Sequence, residues 1–159
     1  MSYEIINHLI EYEMTLAGLY ELCSRKYPDL ETFWKNLSAQ EVGHASTIRE
    51  LLKKVDNKTV ILKEKRFNIR PLEISIEHVQ TVTKRVMDNE LNLLGILSLA
   101  YDIEKSIIES KYYEIFEGTS RVINDVLKKV RDESRNHANT IGEMKQEVYL
   151  NPPDPFDQG

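Results

Sequence analysis

Gln40-Glu41-Val42-Gly43-His44-Ala45 is the stretch whose reading decides the fold of this chain. A carboxylate and an imidazole stand three residues apart inside a helical pattern. At about 100° per residue, positions i and i+3 lie on neighbouring ridges of one helix face. The apolar face around them reads Leu30, Trp34, Leu37, Ile48, Leu51 and Val55, and Glu41 and His44 fall on it. An ionisable pair is therefore aimed at the core, where an unpaired charge is costly. A metal held by Glu-x-x-His on a bundle helix is the leading candidate for the compensation.

Working outward, the segment before it, about residues 3–27, has an inward stripe of Ile6, Leu9, Glu13, Leu16, Tyr20, Cys23 and Tyr27. Glu13 is its single acid. Pro28-Asp29 ends this helix, with Asp29 as the expected N-cap of the next. The short joint implies antiparallel neighbours. The second helix runs over about residues 30–54. From Asp56 to Glu73 the pattern is irregular, with Pro71 forbidding a continuing helix. That length suits a crossover rather than a turn. Ile76, Val79, Val82 and Val86 form a lead-in helix to about Met87. Leu91, Leu94, Leu97, Tyr101, Glu104, Ile108, Tyr112 and Ile115 continue as the third main helix, with Gly118 expected at its C′ position and Ser120 as the next N-cap. The last helix, about residues 121–148, carries Ile123, Val126, Val130, His137, Ile141 and Met144 inward. The tail from 149 to 159, rich in proline, cannot continue it.

Glu13, Glu41, His44, Glu104 and His137 thus fall on the inner stripes of four helices. Singly, each has an ordinary reading: a lone acid on an apolar face is salt-bridged or snorkels, and a lone core His is hydrogen-bonded. Together they read as a metal site of oxygen and nitrogen donors without thiolate, suited to first-row ions: iron, one or two ions, with manganese or zinc as alternatives. Cys23 reads as a small buried hydrophobe, and His8 and His78 as surface residues.

The chain of 159 residues, 41% hydrophobic and 30% charged, is of single-domain size with an ordinary soluble balance. A net charge of −5 argues against nucleic acid and anionic membrane as partners. One cysteine allows no internal disulfide, which points to the cytoplasm. No apolar run approaches the ~18 residues of a membrane span.

These residues resemble the rubrerythrin-type di-iron domain of the ferritin-like superfamily over about residues 3–148. Glu13 with Tyr20 is similar to its first-helix motif, and Glu41-Val42-Gly43-His44 to its second. Tyr101-Asp102-Ile103-Glu104 with Tyr112 is similar to its third, and Arg131 to His137 stands in the place of its fourth-helix E-E-x-x-H. The resemblance implies an all-α, ferritin-like four-helix bundle with a long crossover between its second and third helices. It also implies an iron pair acting on peroxide or oxygen, with Tyr20 and Tyr112 hydrogen-bonded to the ligating carboxylates. Two departures stand out. Ser134 occupies the place of the fourth-helix bridging Glu, and Ile107 that of a second third-helix Glu. Relative to His137, Ser134 lies about 60° to one side and Glu133 about 40° to the other, so Glu133 is expected to ligate only through a π-bulge. Without it the second ion would be weak or absent. No paired C-x-x-C motifs follow, so turnover would need an external electron donor. Phe33 and Ile103, read as exposed, suggest a homodimer. The competing expectation is a non-enzymatic bundle with a degenerate site, acting as a partner-binding scaffold.

Overall fold

The first helix buries the face its periodicity assigns. Ile6, Leu9, Glu13, Leu16, Tyr20 and Cys23 are all removed from solvent, and Tyr27, just past the helix end, is half-buried. The structure, a computed structural model, describes residues 2–56, 60–63, 68–110, 114, 116–118 and 120–152. Tyr112, Ile115 and the tail beyond 152 lie outside them. Among the described residues there are five α-helices: α1 (Ser2–Lys26), α2 (Glu31–Asp56), α3 (Arg70–Met87), α4 (Leu93–Ser110) and α5 (Arg121–Leu150). Two three-residue strands, β1 (Val60–Leu62) and β2 (Phe116–Gly118), pair antiparallel with Val60 opposite Gly118 and Leu62 opposite Phe116. Apart from that ribbon, the described chain is helical.

α1 packs along α2, α4 packs along α5, and α3 lies against α1. Leu72, Ile76, Val79, Val82 and Val86 make α3 amphipathic and fill the core on that side. Trp34 of α2 is fully buried, stacked on Tyr20 at 5.7 Å between centroids and edged by Phe33 at 5.0 Å. The Ser38 hydroxyl donates to the Ala17 carbonyl at 2.9 Å, tying α2 to α1 through a polar group that is satisfied where it is buried. None of the described helices is long and apolar enough to cross a membrane.

Several local expectations change. Asp29 does not cap α2: it sits in a 3-10 turn, Pro28–Leu30, and α2 begins at Glu31. Helix resumes earlier than Ser75, at Arg70, with Pro71 in the first turn of α3, where its missing N–H has no helical partner to lose. Val60-Ile61-Leu62, read as irregular, is β1. Gly118 lies in β2, paired with Val60, rather than at a helix C′ position. Ser120 does cap α5, accepting from the Ile123 N–H at 3.4 Å. Asn89, at φ 58°, separates α3 from α4. Asn92 then starts α4 by accepting from the Gly95 N–H at 2.8 Å. With its start fixed there, α4 turns Leu93, Ile96, Leu97, Ala100, Ile103 and Glu104 inward. Ile103 is therefore core, only 4% exposed, and Phe33 is half-buried against Trp34. Neither offers the exposed apolar surface on which a dimer was inferred.

Candidate metal centre

The amphipathic patterns of four helices bring five ionisable side chains to one point. Glu13 comes from α1, Glu41 and His44 from α2, Glu104 from α4 and His137 from α5. Each is between 1 and 2% exposed. The two imidazoles lie face to face, 5.2 Å between centroids and 22° from parallel.

Glu41 sits between them. Its Oε2 is 3.1 Å from His44 Nδ1, and its Oε1 is 2.7 Å from His137 Nδ1. Each nitrogen has a second carboxylate close by. Glu13 Oε2 is 3.8 Å from His44 Nδ1, and Glu104 Oε2 is 3.8 Å from His137 Nδ1. The arrangement is two half-sites, Glu13 with His44 and Glu104 with His137, sharing Glu41. One donor atom each from Glu41, His44 and His137 lies within 4.8 Å of the others. Although Glu41 Oε1 and His137 Nδ1 are close, they complete no hydrogen bond with each other or with another described group. Two buried atoms so placed could both donate lone pairs to one cation, so the residues present fit a metal. The donor set, carboxylate oxygen and imidazole nitrogen, suits first-row ions such as iron, manganese or zinc.

The outer nitrogens of both rings are held as well. The Nε2–H of His137 donates to Gln40 Oε1, and His44 Nε2 lies 3.3 Å from Glu133 Oε2. Fixing Nε2 outward turns each Nδ1 inward, the way outer hydrogen bonds orient ligating histidines. On the far side, the Tyr20 hydroxyl donates to Glu104 Oε1.

Electrostatics follow from burial and crowding. Burial pushes Glu13 up to about 8, helped by the Glu41 charge and opposed by His44. Burial and then the Glu41 charge raise Glu104 well above the carboxylate range, with Tyr20 opposing. Burial would raise Glu41 too, but His137 and His44 outweigh it and hold Glu41 below the ordinary value. Burial would lower His44, but Glu13 and Glu41 lift it to about 10. Without an ion, then, protons on Glu13, Glu104 and His44 balance the cluster.

The expected residues are placed as follows. Glu13, Glu41, His44, Glu104 and His137 converge, and Tyr20 reaches Glu104. Glu133 approaches without any bulge, since α5 is α-helical throughout. Its half-exposed carboxylate meets the outer nitrogen of His44, not the inner cluster, and also lies 3.6 Å from Lys129 Nζ. Ser134 is buried, with its hydroxyl donating to the Val130 carbonyl at 3.0 Å. Gln40 was not singled out from sequence. It stands beside Glu41, but only the packing of α5 on α2 brings it to His137. Comparison with family models, with curated proteins and with solved structures returned no match.

Proposed function

We propose that this protein binds metal as a rubrerythrin-type member of the ferritin-like superfamily, with iron as the ion. In this reading α1, α2, α4 and α5 are the four bundle helices, and α3 belongs to the long connection between α2 and α4. The observation that carries it is Glu41, which addresses one oxygen to each of two inward imidazole nitrogens. Each nitrogen also has its own second carboxylate. Glu13, Glu41 and His44 would hold one ion, and Glu104, Glu41 and His137 the other.

When bound, ferrous ions supply electrons to peroxide or dioxygen. The chain's own contributions are orientation and proton handling. Gln40 and Glu133 fix the ring faces, and Tyr20 holds Glu104. Glu13 and His44 release protons as a cation replaces them. The external electron donor and the cytoplasmic setting belong to the same proposal, and so does a homodimer, though not through Phe33 or Ile103, which are not exposed. Metal analysis of protein purified without chelator tests it, in wild type and in Glu41→Ala. Bound metal in the first and its loss in the second are expected. Equal metal in both overturns the assignment.

A second reading, a non-enzymatic scaffold with a degenerate site, is favoured by one observation. The Ser134 hydroxyl is spent on its own helix, so no second bridging carboxylate completes the pair. Protein free of metal in both forms supports that reading instead.

A further inference from the structure

A groove of about 570 Å³ runs between α2 and α5, lined by Gln40, Asp125, Lys128, Lys129, Asp132, Glu133 and Asn136. Two of those residues, Gln40 and Glu133, are the ones that touch the outer nitrogens of His137 and His44. The groove and the buried cluster are thus separated by one layer of side chains. Deeper in, the fully buried Tyr20 bonds Glu104 of the cluster, and the fully buried Trp34 stacks on Tyr20. A second cleft, between α4 and α5 around Leu94, Tyr101, Lys145 and Tyr149, touches none of the five ionisable residues.

We propose that the α2–α5 groove is the route by which a divalent cation enters and leaves the buried centre, with Glu133 and Gln40 as the side chains that move aside. This rests on the metal-binding reading above. Both walls are regular helices, so passage is a matter of side chains rather than backbone opening. Carboxylates mark the path. Asp125 and Asp132 line the groove, paired among the described residues with exposed arginines at 3.9 and 4.0 Å, contacts worth little in water. Glu133 follows, with one oxygen towards Lys129 and the other on His44. A cation arriving there meets an oxygen ligand already in contact with the first imidazole. Lys129 opposes entry, both by its charge and by its hold on Glu133.

The test is stopped-flow uptake of cobaltous ion by the full chain, followed by visible ligand-field absorption, with the endpoint titrated separately. Asn136→Trp narrows the groove without touching the cluster, and should slow uptake at least about tenfold while the endpoint stays the same. Lys129→Ala removes an exposed cation and should speed uptake by about threefold or more at low salt, with the gain shrinking as salt is added. Gln146→Trp, in the other cleft, should leave the rate unchanged. Uptake that is equally fast in wild type and Asn136→Trp, or that is slowed only by Gln146→Trp, overturns the route while leaving the metal site standing. Should Asn136→Trp fail to fold, the Lys129→Ala rate decides: no acceleration overturns the route. An absence of any cobalt endpoint in the wild type overturns the metal-binding reading itself.

Discussion

Ser134 faces the cluster from α5, and what it lacks is a charge. Its side chain is 4% exposed and its hydroxyl bonds its own helix, so the cluster keeps one shared carboxylate, Glu41. Ser134→Glu would place a second carboxylate where the inner stripe of α5 meets the two histidines. Without metal it adds a buried acid to a crowded set and must take up a proton or repel Glu41. With metal it adds a ligand. The expected outcome is opposite in sign in the two states. The melting temperature of the chelator-stripped variant falls below that of stripped wild type, and the rise on adding manganous ion exceeds the wild-type rise. Calorimetry of both proteins with and without metal measures this. A variant whose metal-induced rise is no larger than that of wild type would show that position 134 does not address the ions.

Among the elements, the α3–α4 joint is set by one backbone conformation. Asn89 adopts φ 58°, which an ordinary L-residue resists and Asn or Gly tolerates. The joint is fastened by Lys26 at the end of α1, whose ammonium donates to the Val86 carbonyl at 2.8 Å and to Asn89 Oδ1. Comparing two substitutions separates backbone from side chain. Asn89→Ala loses the hydrogen bond and strains the backbone, whereas Asn89→Gly loses only the hydrogen bond. Urea denaturation should find the Gly variant more stable than the Ala variant by about 1 kcal/mol. Equal stabilities would mean that the joint relaxes freely and the left-handed turn carries no constraint. The consequence reaches the site, because the start of α4 fixes which face of that helix presents Glu104.

At the scale of the whole molecule, the proposed metal would compete with protons for the buried cluster. Glu13, raised from 4.5 to about 8, and His44, raised from 6.5 to about 10, hold protons more tightly folded than unfolded. A group of that kind adds stability below its unfolded value, and the gain is lost as pH rises through the folded value. Glu104 is raised and acts in the same direction, while Glu41 is lowered and acts only at acid pH, below 4.5. The metal-free protein should therefore lose stability from mildly acidic to alkaline pH. The metal-bound form, in which a cation stands in for those protons, should lose less. At a hundredfold excess over the dissociation constant, linkage gives about 2.7 kcal/mol, or about 5–10 °C in melting temperature at this size. That increment should grow between about pH 6 and about pH 8. Melting curves of stripped and manganous protein across that range check it, and an increment that shrinks with pH would contradict the proton–metal exchange.

The helical faces were legible in the sequence because a helix face depends on a residue's own neighbours along the chain. The stripe from Ile6 to Cys23, the buried Glu41 and His44, and His137 on α5 all follow from a period of about 3.6 residues. The same periodicity placed Glu13 and Glu104 inward, so the five converging residues could be named before any packing was known. Registers that depend on a distant partner were not legible. Ile103 turned inward because the Asn89 joint and the Asn92 cap reset the start of α4. The β1–β2 ribbon pairs residues 54 to 58 positions apart, and nothing local announces it. The contacts of Gln40 and Glu133 with the two imidazoles were decided by the meeting of α5 and α2. Periodicity assigns a side chain to a face, but which nitrogen of which ring it meets is fixed only when two helices come together.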